Sequence, residues 1–133
     1  MKIIKIFLIL VITNALISCA DYKKHKIKET EERKYYSSKG FALIFEENLY
    51  HQKIVNKKIT NTEEATMHNF LKANTLVKII NPVNSKFIET KINKKAKYPK
   101  IFNIVISNTI ASILELDTEN PYVEVIEIKK NKK

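Results

Sequence analysis

Hydrophobic and polar positions along this chain change character twice. From Ile3 to Ile12 the residues are apolar apart from Lys5, behind a basic start at Lys2. That run is shorter than the ~20 residues a stable bilayer-spanning helix needs, and it fits a cleaved export signal. From Ala20 to Arg33 lysine and glutamate dominate, and Ile27 is the only aliphatic side chain larger than alanine. Such a stretch cannot bury a core and reads as a solvated tether. From about Lys34 onward short apolar stretches alternate with turn residues, so compact structure is expected to begin there.

Within that last region the pattern predicts mostly strands. Tyr35-Tyr36 and Phe41 to Phe45 suit strands, with Ser37 to Gly40 as a bend. Lys53 to Ile59 is a weaker strand candidate, and Thr66 to Leu71 is short and partly apolar. Leu76 to Ile80 is a strong strand closed by Asn81-Pro82. Phe87 to Ile92 alternates with a period of two, and Asn84-Ser85 before it reads as a hairpin turn. Lys94 to Lys100 is a charged loop carrying Tyr98-Pro99, and Phe102 to Ile106 is apolar again. Ser107 is a good helix N-cap for a helix running to about Leu116, broken by Asn120-Pro121. Tyr122 to Ile128 is a final strand and Lys129 to Lys133 a basic tail. Several strands, one hairpin, one helix and one strand predict a small β-barrel with an inserted helix.

Gly40 is the only glycine. Asparagine is the next best residue for left-handed backbone. Asn74, Asn81, Asn84 and Asn120 lie at or beside the expected turns.

Cys19 is the only cysteine of the 133 residues. Leu16-Ile17-Ser18-Cys19 matches the lipobox read by bacterial lipoprotein signal peptidases. Acylation there, with two or more chains, gives stable anchoring where one chain is marginal. Ala20, rather than aspartate, follows the cysteine, so an outer-membrane anchor facing the periplasm is expected. The resulting division is 1–18 signal peptide, 19–33 lipidated cysteine and tether, 34–129 barrel and 130–133 tail. A lone lipidated thiol offers no disulfide, so the core must hold without covalent staples.

The net charge is +10. A basic chain favours anionic partners: phospholipid head groups, lipopolysaccharide or cell-wall polymer. Export argues against nucleic acid. Arg33 is the only arginine while Lys, Ile and Asn abound, so coding bias is a second source of the charge. No His, Cys, Asp or Glu cluster has metal-ligand spacing, no phosphate-binding glycine loop exists, and no cofactor is implied.

The ordered blocks carry a family resemblance. Leu71 to Asn93 (LKANTLVKIINPVNSKFIETKIN), Ile104 to Ser107, the Ile110 to Leu114 helix and Tyr122 to Ile128 (YVEVIEI) follow one another in order. This series is similar to the rare lipoprotein A (RlpA) family pattern LPFGTRVKVTNLxNGKSVVVRINDRGPF, then IIDLSxAAAxxLGM, then a strand like VRLEVI. Tyr35-Tyr36 resembles the family's Ser-Trp/Tyr-Tyr opening, and His68 falls at the histidine of its TAAH motif. The resemblance spans nearly all of 34–129. It implies a six-stranded double-psi β-barrel with one inserted helix, and lytic transglycosylase chemistry on peptidoglycan.

The departures bear on that chemistry. Lys94 stands at the aspartate of NDRGP, Val105 at that of IIDLS, and Lys57 and Thr60 at the acidic residues of GExYD. A lytic transglycosylase must protonate the leaving glycosidic oxygen and accept the sugar O6 proton as the anhydro ring closes. A carboxyl of raised pKa suits both steps. An ammonium has no basic lone pair unless strongly desolvated. His68 is therefore the candidate catalytic residue, a proton shuttle without the partner the resemblance supplies. Its structural alternative is a buried, hydrogen-bonded histidine between Met67 and Phe70. Glu63, Glu64 and Glu89 are the candidate substitutes.

The expected function is an envelope lipoprotein that binds or acts on peptidoglycan glycan strands, with transglycosylase activity weakened or lost. An active enzyme using His68, and a division-site scaffold binding protein partners only, are the alternatives. Tyr35 and Tyr98 are candidate stacking residues, and Lys94 and Lys95 candidate partners for wall carboxylates. Tyr36 is expected to pack its ring into the barrel.

Overall fold

A computed structural model describes residues 35–129. The expected export signal, lipidation at Cys19, tether and 130–133 tail lie outside the described residues. The elements run β1 (Ser37–Ile44), α1 (Glu47–His51), β2 (Thr66–His68), β3 (Leu76–Ile80), β4 (Phe87–Lys91), β5 (Lys94–Lys95), β6 (Phe102–Ile106), α2 (Asn108–Ile113) and β7 (Tyr122–Glu127). All strands join one curled, half-barrel sheet in the order β4-β3-β7-β1-β6-β2-β5. The pairs β1–β6 and β2–β5 are parallel and the other neighbours antiparallel.

The chain is mainly β, as expected, with seven strands among the described residues rather than six and two short helices rather than one. The extra strand is β5, two lysines held beside β2 with Met67 opposite Lys94 and His68 opposite Lys95. The extra helix, α1, is one short turn whose N-cap Glu46 makes no side-chain cap. Two further expectations are corrected. Ser37 to Gly40 is not a bend but the first half of β1, paired with β7 from Ser37 opposite Ile126 to Phe41 opposite Tyr122. Lys53 to Ile59 is not a strand, because Lys53 takes φ 61° and turns the chain there.

Side-chain alternation divides the core. Ile104 and Ile106 of β6 join Val77, Ile79, Val123 and Val125 in the larger cluster, which α2 covers with Ile110 and Ala111. Val105, between them, points the other way, into a smaller cluster with Phe45, Val55, Met67 and Tyr98. A strand buried on both faces reads as a continuous apolar run, which explains the Ile104 to Ile106 sequence.

Ser107 caps α2 as its sequence promises: its Oγ accepts from Ile110 N–H at 3.4 Å and also from Ala65 N–H at 3.2 Å. The helix stops at Ile113, short of Leu116, because Glu115 adopts φ 49°. Asn81 and Asn84, in the β3–β4 turn, each donate a side-chain N–H to the Leu114 carbonyl at 3.0 Å. The hairpin turn thus satisfies helix carbonyls that would otherwise lack partners. Of the four turn asparagines only Asn74 takes positive φ, and Lys53, Ser85 and Glu115 supply the other left-handed positions.

Asn103 is unopposed in the β1–β6 register, where Phe41 faces Phe102 and Ala42 faces Ile104. This bulge re-aims the backbone beside β2. Gly40 lies under it, and a Cβ there would meet the Asn103 side chain at 3.6 Å.

Candidate functional site

β2 carries His68 as its last residue, and the ring is wholly enclosed at 0% exposure. Nδ1 accepts two backbone hydrogen bonds, from Phe70 N–H at 3.0 Å and Leu71 N–H at 2.9 Å. Those bonds place the proton of the neutral imidazole on Nε2. Nε2 has no hydrogen-bond partner. Burial pushes the His68 pKa down to about 4, and the nearby Asn103 backbone carbonyl opposes this without reaching hydrogen-bond geometry. Protonating Nδ1 would set one N–H against two others, which disfavours the imidazolium further. The Tyr36 ring meets the imidazole edge-on at 4.9 Å.

Lys94 lies elsewhere. It is exposed on β5, and its Nζ donates to the Lys58 backbone carbonyl at 2.6 Å. With Lys58, Ile59, Thr60, Glu63, Ala65 and Asn93 it lines an open groove of about 340 Å³. The Lys58 ammonium is engaged by Glu47 at 2.8 Å and sits 4.8 Å over the Tyr50 ring. The hydrogen bond from Lys58 also holds the Glu47 carboxyl below its usual range. Asn93 Oδ1 faces inward, accepting from Thr66 N–H at 2.9 Å.

His68 is not among the residues lining this groove. His68 and Lys94, expected from the resemblance to form a catalytic pair, lie on the adjacent strands β2 and β5, and only Lys94 lines this groove. A general acid must touch the oxygen it protonates. An enclosed imidazole whose Nδ1 is committed to the backbone does not meet that requirement in this conformation. Of the candidate substitutes, Glu63 is in the groove, while Glu89 lies on edge strand β4.

The expected glycan-binding residues separate likewise. Tyr98 is 8% exposed, its ring in the smaller core and its hydroxyl accepting from Asn69 N–H at 3.1 Å. Its ring face is not open to a sugar, and burial pushes its hydroxyl pKa up. Tyr35 stands half-exposed just before β1, and Lys95 is exposed beside His68 across the β2–β5 pairing. Two residues that sequence reasoning passed over complete the picture. Asn103 brings its bulged carbonyl to within 3.5 Å of the Tyr98 hydroxyl. Phe70 follows the enclosed His68 yet is 68% exposed, its ring stacked on Tyr36. An aromatic beside Asn69 in a short loop was the available signal for it.

Among the described residues no group of three His, Cys, Asp or Glu side chains is placed to hold a metal ion. No helix among them is long and apolar enough to cross a membrane. The chain matches no protein-family model and no curated protein.

Proposed function

We propose that this chain is an envelope lipoprotein, anchored through Cys19 and facing the periplasm, whose RlpA-like domain binds peptidoglycan glycan strands without cleaving them efficiently. The observation that carries the loss of cleavage is the enclosure of His68, neutral and bonded through Nδ1 to its own loop. Lys94 at the family's aspartate position removes the carboxyl that would share the proton work.

Support for a double-psi barrel comes from the two parallel pairings, β1–β6 and β2–β5, inside a largely antiparallel sheet. Parallel neighbours require crossover connections, not hairpins. Support for wall binding comes from the resemblance and from the lysine-lined groove, where Lys94 and Thr60 present donors to acceptors on a glycan or its stem-peptide carboxylates.

Sedimentation of the full-length chain in mild detergent with purified sacculi, intact and stripped of stem peptides, tests the reading. Co-sedimentation with both supports glycan-strand recognition. Retention by neither contradicts it and turns attention to protein partners.

A further inference from the structure

Three consecutive backbone N–H groups leave β2, and all three are held by buried side chains. Asn69 N–H donates to the Tyr98 hydroxyl at 3.1 Å, and Phe70 and Leu71 N–H donate to His68 Nδ1 at 3.0 and 2.9 Å. The loop is therefore fixed from beneath. Leu71 turns in and is buried, while Phe70 turns out with 68% of its surface exposed. Leaving a phenylalanine largely in water forgoes most of the free energy its burial would release. Here the exposure is not the fraying of a loose loop. The ring lies at 26° to that of Tyr36 with centroids 6.0 Å apart, and Tyr36 rests edge-on against His68 at 4.9 Å.

We infer that Phe70, backed by Tyr36, is a stacking platform for a pyranose ring of the glycan, with His68 and Tyr98 as positioning residues that hold the platform out. The inference rests on the glycan-binding reading above. One pyranose presents an apolar C–H face of about the area of one phenyl ring, with hydroxyls around its rim. The negative face of the aromatic quadrupole suits those C–H groups. A protein partner would need roughly 800 Å² on each side, far more than one ring offers. Lys72, two residues on in the chain, and Lys95, opposite His68 on β5, are both exposed cations. His68 thus serves binding through the loop it orders, not by transferring protons.

The test is binding of an N-acetylglucosamine hexamer and of stripped sacculi to the full-length chain in mild detergent, with phosphatidylglycerol vesicles as a separate arm. Phe70→Ala is expected to weaken hexamer binding roughly five- to tenfold. Phe70→Trp is expected to keep or improve binding. Circular dichroism should report both Phe70 variants folded, since that ring is mostly outside the core. His68→Asn retains an acceptor for the two loop N–H groups and is expected to keep binding, whereas His68→Ala should lose it as Phe70→Ala does. Equal binding by wild type and Phe70→Ala overturns the platform while leaving the glycan reading intact. No binding by the wild type to hexamer or sacculi overturns both. A Phe70→Ala loss confined to vesicles overturns the platform in favour of a membrane contact.

Discussion

Acid should weaken this fold over a window set by one histidine. In the folded chain His68 titrates near 4 because it is buried, against 6.5 for an unhindered imidazole. As pH falls below 6.5 the unfolded chain takes up a proton that the folded chain refuses. Stability is therefore fully present above about pH 6.5, is lost progressively toward pH 4, and levels off once the folded ring is protonated too. The depression from 6.5 to about 4 corresponds to at most about 3.4 kcal/mol. Solvent screening and loop relaxation around the charged ring reduce this to about 2–3 kcal/mol. A domain of this size has roughly 5–10 kcal/mol in all, so the loss is a large share.

Urea denaturation of the full-length chain, followed by far-ultraviolet circular dichroism from pH 7.5 to 4, reads the effect directly. His68→Asn supplies the control, because its side-chain oxygen accepts from the same two N–H groups and does not titrate. Wild type should lose about 2–3 kcal/mol across the window and the variant under 1. The Glu47 carboxyl, held low by Lys58, contributes only below its usual value of 4.5 and so lies at the acid edge of the range. The same decline in both proteins, or none in the wild type, would refute the reasoning.

Three substitutions probe other parts of the account. Ser107→Ala removes the α2 cap and strips Ala65 N–H of its acceptor, which should cost about 1–2 kcal/mol and lower the melting temperature by roughly 5–10 °C in a thermal scan. Gly40→Ala should change stability by less than about 0.5 kcal/mol, because the glycine has no positive φ and a Cβ meets Asn103 only at ordinary contact distance; a loss above about 1 kcal/mol would show a tighter site. Lys94→Asp introduces a carboxyl at the position the resemblance aligns with an aspartate but leaves His68 enclosed, so mass spectrometry of treated sacculi should still find no 1,6-anhydro products.

Most of the sheet was legible because its strands carry their own signal. Leu76 to Ile80 is apolar apart from Lys78, Tyr122 to Glu127 sets buried Val123 and Val125 between less buried neighbours, Ile104 to Ile106 is apolar on both faces, and Ser107 announces α2. Where the reading failed, tertiary contact outweighed local preference. Gly40 looks like a bend, but β7 pairs on one side and the Asn103 bulge packs over it on the other, so β1 runs straight through. Val55 looks like part of a strand, but it reaches the smaller core from a turn rather than from a ladder. α1 offers five residues and no capping side chain, too little to detect.

The candidate site was legible only as a set of residue types. His68 stands out in any reading, but its edge-on contact with Tyr36 and its Nδ1 bonds to the loop after β2 are tertiary features that local sequence does not show. Tyr98 sits among lysines and suggests an open ring, yet its hydroxyl reaches back to Asn69 and draws the ring inward. Phe70 gives the opposite lesson: a large apolar residue that local sequence would bury is turned out by its neighbours' hydrogen bonds.

Product analysis on sacculi incubated with the chain tests the central claim most directly. After prolonged incubation of the full-length protein, mass spectrometry of the released fraction should show no 1,6-anhydromuramyl products above those of untreated sacculi, while the protein itself stays with the pellet. Anhydro products that appear with the wild type and vanish with His68→Ala would contradict the account, because they would mean that the enclosed histidine reaches the glycosidic bond.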